Sequence, residues 1–429
     1  MTIAQVVQLL YNIVDRVYIG HLPENASYAL AGLGLTFPLI TIILAVTNLF
    51  GMGGAPLFSI ARGRGDNSRA ERIMGNTFAM LCIWGVILMI LCFVFMKPLL
   101  YLFGTSDITY PYAAEYMMIY SFGIPFSMIA TGMNGFINAQ GFAKSGMATV
   151  LVGAVTNIIL DPVFIFIFNM GVAGAALATI ISQFLSAVWV LSFFRGRRTM
   201  FRLNKNDMKI ELPLIKEIIG LGTAGFVMNA SNGLVQIACN TTLKSTGGDI
   251  YVSIMTVLSS LRDVTSLPAS GLTNASQPVL GFNYGAGEYD RVKSGIKFTT
   301  ISGVIFMLLI WFVLFMFPEA FMRIFTADTE IISKGVPALH IYFFGIFMMA
   351  FQFSGQSTFV GLGFSKHAVF FSMLRKVIIV VPLTLILPHV MGLGVNGVFL
   401  AEPISNFIGG TACFVTMLFT VGHRLKTSK

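Results

Sequence analysis

The decapeptide ARGRGDNSRA, residues 61–70, returns later in the chain as NYGAGEYDRV, residues 283–292, at an offset of 222 residues. Two glycines and one arginine recur in register: Gly63 with Gly285, Gly65 with Gly287, and Arg69 with Arg291. Three more matches lie at this offset or one residue short of it: Tyr120–Ile124 with Tyr342–Ile346, Gly141–Lys144 with Gly363–Lys366, and Met170-Gly171 with Met391-Gly392. Self-similarity at a fixed offset predicts two copies of one structural unit.

The composition places this repeat in a lipid bilayer. Of the 429 residues, 56% are hydrophobic and only 10% are charged, and the mean hydropathy is +0.82. A soluble domain carries about 25% charged residues. The net charge of +9 comes from basic residues concentrated in a few loops, so we expect no nucleic-acid partner. The four cysteines and five histidines lack disulfide or metal-ligand spacing.

Apolar runs long enough to cross the bilayer recur along the whole chain. A helix needs about 20 residues to span the hydrocarbon layer. Twelve such runs can be marked: 1–19, 28–61, 73–97, 112–139, 145–168, 172–194, 213–243, 250–279, 295–317, 332–358, 367–389 and 395–421. The predicted fold class is therefore an all-α membrane protein of about 12 transmembrane helices in two pseudo-symmetric six-helix lobes.

Basic residues alternate between the predicted loops. The second-to-third loop, the central linker, the eighth-to-ninth loop and the tail are basic, whereas the loops between them are neutral or acidic. Because cytoplasmic loops carry the excess of Lys and Arg, both termini should be cytoplasmic.

The repeat and the topology together predict the domain organisation. We expect an N-terminal six-helix lobe over 1–194, a basic cytoplasmic linker over 195–212 and a C-terminal six-helix lobe over 213–429. Six spans per unit is an even number, so both units insert with the same orientation, as parallel transporter repeats do. Two lobes that rock against each other would provide alternating access, which favours a carrier over a channel.

Polar residues cluster inside the predicted spans of the first lobe. Asn157 and Asp161 are four residues apart and share one helix face. Thr179 stands as far after the turn at Met170 as Asp161 stands before it, so a helical hairpin would bring the two to similar depth. Asp15 ends the first span. Ionisable groups inside spans are candidates for functional sites.

These oxygen-bearing side chains suit either of two coupling ions. Asp, Asn and Thr are hard ligands for Na⁺, and a desolvated carboxylate also takes up a proton more readily. A purely structural alternative is that Asn157 and Asp161 cap a helix break before Pro162, and that Asp15 pairs with Arg16.

The predicted second lobe has a polar set of its own. Glu402 falls close to the position that Thr179 holds in the first repeat, and Arg262 and Asp263 lie in mid-span. Arg375 and Lys376 lie inside the eleventh span and require an acidic partner, either Glu402 or Asp263. These residues are secondary candidates for coupling, and an ion pair between helices is the structural alternative.

Sequence motifs for catalysis are missing. The chain has no Walker A motif, HExxH, GxSxG or zinc-ligand spacing. We therefore expect neither an enzyme nor a cofactor, with H⁺ or Na⁺ as the only coupling partner.

Several segments resemble the multidrug and toxic compound extrusion (MATE) family. They are LYNIVDRVYIG at 10–20, NIILDPVFIF at 157–166, GVAGAALAT at 171–179 and SQPVLGFNYGAGEYDRV at 276–292. The resemblance is to the bacterial DinF-like or MepA-like branch. It implies an antiporter of the bacterial inner membrane that exports cationic amphipathic drugs in exchange for H⁺ or Na⁺, with Asp15, Asn157, Asp161 and Thr179 matching the branch's cation site. We also expect a monomer, with membrane lipid and the small-molecule substrate as partners.

The resemblance has two departures and leaves rival functions open. Family members usually begin with a longer first span that carries a proline, so we expect a misassigned start or a truncated lobe. The second lobe also lacks a fifth-span acid, so coupling should rest on the first lobe. The rivals are a flippase for lipid-linked or amphipathic lipid substrates within the same superfamily, and a membrane receptor or accessory protein that transports nothing.

Overall fold

The computed structural model describes residues 26–427 apart from 104, 106, 198, 326–328 and 391, and within these ranges it is helical with no strand. The predicted first span, 1–19, and Asp15 lie outside the described residues. In the first repeat the helices are α1 (Ala26–Gly63), α2 (Asn67–Leu102), α3 (Tyr110–Ala139), α4 (Ala143–Pro162), a π-helical turn (Val163–Ile167) and α5 (Gly171–Arg195).

The second repeat follows a short 3₁₀ turn, Lys205–Met208. Its helices are α6 (Leu212–Gly247), α7 (Asp249–Gly285), α8 (Tyr289–Met316), α9 (Pro318–Phe325), α10 (Thr329–Phe343), a 3₁₀ turn (Ile346–Met348), α11 (Met349–Gly361), α12 (Ser365–Met373), a π-helical segment (Leu374–Val380), α13 (Val381–Ile386), a 3₁₀ turn (Leu387–His389) and α14 (Val395–Thr427).

The eleven predicted spans within the described residues each coincide with one helix or with a series of consecutive helical segments. Nine of these runs in the described part of the chain are long and apolar enough to cross a membrane. The other two, α3 and α7, are 30 and 37 residues long and coincide with the predicted spans 112–139 and 250–279. The all-α membrane fold predicted from hydropathy is confirmed.

The backbone repeats at the offset found in the sequence. α1 ends at Gly63 and α7 at Gly285, and the next helices begin at Asn67 and Tyr289. Both connecting turns place a glycine in the left-handed region, with φ of 77° at Gly65 and 77° at Gly287. Only glycine adopts this conformation without steric cost. The decapeptide therefore recurs because both copies need the same turn, and the two-repeat fold is confirmed.

The repeats differ at the middle of their fourth spans. α3 is continuous through Gly123, whereas the matching Gly345 has a φ of 74° and separates α10 from the following 3₁₀ turn. The ring of Phe407 lies where a side chain at position 345 would stand. The matched tyrosine-to-isoleucine segments thus share sequence but adopt different local structures.

The chain divides into two compact units between Gly222 and Thr223. The first unit has an apolar core in which the rings of Phe58 and Phe136 meet edge to face at 5.4 Å. The second unit has two apolar clusters, one around Met255 and Phe399 and one around Phe359. The predicted lobe boundaries at 194 and 213 remain predictions.

The basic stretch that follows α5 is held against the first unit by hydrogen bonds to two buried amides. The Gln140 Oε1 atom accepts from the Thr199 hydroxyl at 2.8 Å and from the backbone N–H groups of Met200 and Phe201 at 3.0 and 3.2 Å. The Asn76 side chain accepts from the Glu211 N–H at 2.9 Å and donates to the Asp207 carbonyl at 3.3 Å. Residues 199–211 therefore have a defined position on this unit.

Gly75 allows the 3₁₀ turn of this stretch to approach α2 closely. A Cβ atom at position 75 would overlap the backbone carbonyl of Asp207. We expect Gly75→Ala to displace residues 199–211 and to accelerate trypsin cleavage after the exposed Arg202 and Lys205 several-fold. Gly220→Ala is the matched control, because a Cβ there meets no atom within 4 Å. Equal cleavage rates in the two variants would show that the stretch does not depend on this contact.

Candidate functional site

The hairpin of α4 and α5 is registered by side-chain hydrogen bonds at three levels. The Trp189 indole donates to the Ser145 carbonyl at 3.2 Å, and the Ser186 hydroxyl donates to the Thr149 carbonyl at 3.1 Å. The Asn157 amide donates to the Thr179 hydroxyl oxygen at 3.4 Å. The hairpin therefore brings Thr179 to the depth of Asn157 and Asp161, as their spacing about the turn at Met170 predicts.

Pro162 does not break the helix that carries this cluster. The helix continues as a π-helical turn to Ile167, and the chain reverses only afterwards, at Asn169 and Met170. A break before Pro162, which the structural alternative requires, is therefore wrong. Pro162 has no N–H and cannot donate to the carbonyl of Ile158. The wider i→i+5 turn that follows accommodates the missing bond, and such turns are frequent at functional sites.

Asn157, Asp161 and Thr179 form one buried polar cluster, and none of the three is more than 1% exposed. The Asn157 Nδ2 group donates to Asp161 Oδ1 at 3.2 Å as well as to Thr179. The Thr179 hydroxyl uses its own proton on the Ala175 carbonyl at 2.9 Å. Both neighbours of Asn157 thus act as acceptors, which fixes the orientation of its amide.

This orientation leaves an oxygen ligand available. The Asn157 Oδ1 atom is buried and has no hydrogen-bond partner among the described residues. A buried acceptor without a partner is costly unless a donor or a cation satisfies it. The cluster therefore combines amide, carboxylate and hydroxyl oxygens, which are the ligand types that a hard cation takes. Asp15, the fourth predicted member, lies outside the described residues.

A second buried cluster lies in the second unit and centres on Glu402. Its Oε1 atom lies 2.9 Å from Arg375 Nη1 and 3.0 Å from Lys376 Nζ. Arg375 also donates to Asn406 Oδ1 at 2.6 Å. Arg375 and Lys376 are neighbours in the π-helical segment Leu374–Val380, and both side chains reach the same carboxylate. Of the two predicted acidic partners, Glu402 is the one that they contact.

Arg262 stands between this cluster and Asp263. Its guanidinium lies 3.2 Å from Asp263 Oδ1 and 3.9 Å from Glu402 Oε1, and it donates to the Tyr342 hydroxyl at 3.1 Å. The pairing of Arg262 with Asp263 is confirmed. Three cationic side chains therefore share one buried carboxylate, since the Asp263 side chain is 65% exposed.

The polar face that α6 and α7 present in the second unit was missed by sequence reasoning. The Gln236 side chain donates to Asn240 at 3.1 Å and accepts from Ser259 at 3.3 Å. Further polar residues that are not buried continue this face along α7: Thr256, Ser260, Asp263, Ser266 and Asn274. An exposed carboxylate at mid-helix lies against water more readily than against hydrocarbon. The three- and four-residue recurrence of polar residues in both helices is the signal that could have revealed it.

The comparison with known families decides the assignment. The sequence profile described as MatE matches residues 1–163 and 225–386, which is most of the chain and includes both repeats. The chain belongs to the MATE family. The predicted resemblance is therefore confirmed, and this MATE protein is a multi-pass membrane protein of a multidrug efflux transporter family, not an enzyme.

The alignments with its relatives extend over nearly the whole length of both proteins. The multidrug export protein MepA of Staphylococcus haemolyticus is 23% identical over 435 residues, covering 100% of this chain and 93% of the relative. A crystal structure of MATE in the bent conformation aligns with a TM-score of 0.94 at 23% identity, covering 100% of this chain and 94% of the other.

Another solved structure with the same fold concerns a protein of different inferred function. It is a transporter of the MOP superfamily from Pyrococcus furiosus, described as having a binding pocket of reverse polarity that suggests a different function. It aligns with a TM-score of 0.92 at 22% identity over 99% of this MATE protein and 94% of the other chain. The fold alone therefore does not fix the function.

Proposed function

We propose that this transporter is a secondary antiporter that exports cationic amphipathic drugs or toxins in exchange for H⁺ or Na⁺, with its two lobes giving alternating access. The observation that carries the proposal is the buried cluster of Asn157, Asp161 and Thr179, in which the Asn157 Oδ1 atom is left as an acceptor. Its relative's description as a multidrug export protein supports drugs as the substrate class.

The cluster suits ion coupling because it is buried and acidic. A carboxylate that is 0% exposed has lost its hydration, and either a proton or a cation restores its electrostatic balance. Na⁺ would be held by the Asp161 carboxylate, Asn157 Oδ1 and Thr179 Oγ1, with Asp15 as the proposed fourth residue. A proton would reside on a carboxylate instead.

Antiport then needs only one thermodynamic condition. Ion and drug must each favour a different conformation of the transporter, since a ligand shifts an equilibrium only by its differential affinity for the two states. Ion binding to the first-lobe cluster would favour the conformation that releases drug outside. Drug binding from the cytoplasm would favour the conformation that releases the ion.

The remaining features follow from the same proposal. We place the protein in a bacterial inner membrane with both termini on the cytoplasmic side, in agreement with the alternation of basic loops. We propose a monomer with small cationic amphipathic substrates and membrane lipid as its only partners, and no cofactor beyond the coupling ion. Within the described residues no group of three His, Cys, Asp or Glu side chains could hold a metal ion.

The test is ethidium efflux from proteoliposomes under an imposed pH gradient and, separately, an imposed Na⁺ gradient. We expect one gradient to drive efflux well above that of protein-free liposomes, and that gradient identifies the coupling ion. Collapse of the active gradient with the matching ionophore should stop the efflux. Efflux that persists after collapse, or fails under both gradients, would contradict drug antiport.

A flippase for a lipid-linked substrate is the second candidate, and the cluster at Glu402 favours it. Arg262, Arg375 and Lys376 outnumber Glu402 within 4 Å of its carboxylate, so this part of the second unit has a surplus of positive charge that an anionic headgroup would balance. Transfer of a fluorescent lipid diphosphate between leaflets, in vesicles that show no ethidium efflux, would select this function.

A further inference from the structure

An apolar groove lies between the first turns of α8 and the last turns of α14, within the second unit. Its volume is about 320 Å³, and its walls are the side chains of Ile296, Ile301, Phe414, Met417, Leu418 and Val421. Gly422 also lines the groove, and a Cβ atom there would meet no atom within 4 Å. From Lys293 to Ile301 the groove follows α8 for roughly 12 Å at 1.5 Å per residue.

Two lysines of α8 line the same groove, and both are exposed. Lys293 and Lys297 are four residues apart, so they project from one helix face. Lys293 lies 3.3 Å from the well-exposed Asp290, a surface pair that contributes little and separates easily. Lys297 makes no ion pair with any residue in the part of the chain that the structure describes. The groove thus has apolar walls and a cationic edge.

The position of the two lysines on α8 indicates the depth of the groove in the membrane. Lys293 and Lys297 lie within two to three turns of the α8 start at Tyr289, so the two lysines that the sequence places with the eighth-to-ninth loop stand near one end of this span. Lysines near a helix end extend their amines towards the headgroup layer while their methylene stems cover apolar surface. The apolar walls then lie at the depth of acyl chains.

We propose that this groove binds an anionic phospholipid, with an acyl chain between α8 and α14 and the headgroup phosphate at Lys293 and Lys297. Membrane lipid supplies both chemistries in one molecule, and an anionic leaflet attracts basic side chains placed at its surface. A cationic drug fits the groove poorly because the two lysines would repel it. The groove is therefore unsuited to the proposed drug substrates.

The experiment measures retained lipid by native mass spectrometry of the purified full-length transporter. The probes are phosphatidylglycerol and phosphatidylcholine with identical acyl chains, so that only the headgroup charge differs. We expect the wild type to retain phosphatidylglycerol about 25-fold more strongly, because each of the two lysines contributes about fivefold. The double variant Lys293→Gln/Lys297→Gln should lose this preference, at about fivefold per lysine. Lys366→Gln, which removes an exposed lysine of the second unit outside the groove, is the matched control.

A second variant tests the apolar half of the site without changing charge. Gly422→Phe places a ring in the open space beside Gly422 in the groove, and we expect it to reduce the retention of both lipids. Equal retention of the two lipids by the wild type would overturn the proposal, as would an unchanged headgroup preference in the double lysine variant. Because no readout involves flux, failure here is distinguishable from failure of the proposed antiport.

Discussion

Asp161→Asn should reduce gradient-driven ethidium efflux to the level of protein-free liposomes. The substitution keeps the volume of the side chain and an oxygen that can accept from Asn157, which lies 3.2 Å away. It removes only the negative charge and the ability to bind a proton. Because the side chain is fully buried, no solvent ion replaces that charge. The loss of flux should therefore exceed that of any other single conservative substitution in the first repeat.

The control for this experiment is Asp107→Asn, which makes the same change at an exposed carboxylate of the same unit. It should leave efflux near the wild-type rate. Circular dichroism and gel filtration of both variants would confirm that each is folded. If Asp161→Asn transports as well as the control, coupling does not depend on the first-repeat cluster, and Glu402 or Asp263 becomes the first candidate.

Glu402→Gln should destabilise the second unit by about 3–5 kcal/mol, because it leaves the buried Arg375 and Lys376 without a counter-charge. Unfolding in mixed micelles with increasing SDS measures the free energy. The triple variant Glu402→Gln/Arg375→Leu/Lys376→Met removes all three buried charges. It should regain most of the lost free energy of unfolding, because the two unpaired buried cations cause that loss. The recovery separates an electrostatic effect from a simple packing defect.

The matched control is Glu319→Gln on α9, which also removes a carboxylate paired with an arginine. Glu319 and Arg323 are 2.7 Å apart but both are well exposed, so the pair should contribute less than about 0.5 kcal/mol. A Glu402→Gln variant no less stable than this control would mean that water reaches Arg375 and Lys376.

The helices and the first-repeat cluster were predictable because their signals are local. Apolar runs of about 20 residues locate spans, and the shared glycine turn at Gly65 and Gly287 revealed the duplication. Asn157, Asp161 and Thr179 could be brought together from helix periodicity and their symmetric distance from one turn. The contact of Arg375 and Lys376 with an acid followed from the cost of a buried unpaired charge, although the choice of Glu402 over Asp263 required coordinates.

What the sequence did not reveal depends on tertiary contacts. Gly123 and Gly345 stand in matching segments, yet only the second departs from the helix, so the surroundings decide the conformation. The anchoring of residues 199–211 depends on the buried amides of Gln140 and Asn76, far away in the chain. The polar face of α6 and α7 could not be recognised because its residues are uncharged except for Asp263, and single polar residues in a span carry a weak signal.

The π-helical segments bear on how the two repeats have diverged. The matches hold an offset of 222 residues as far as Lys144 and Lys366. Met170 and Met391 are separated by one residue less than this offset. Each repeat has its π-helical segment inside this interval, at Val163–Ile167 and Leu374–Val380. An i→i+5 turn holds one residue more than an i→i+4 turn, so a residue gained or lost there changes the local winding and leaves the flanking helices facing as before. These segments are where an ancestral duplicated gene could tolerate a single-codon insertion or deletion without rotating the polar residues on either side of them out of place.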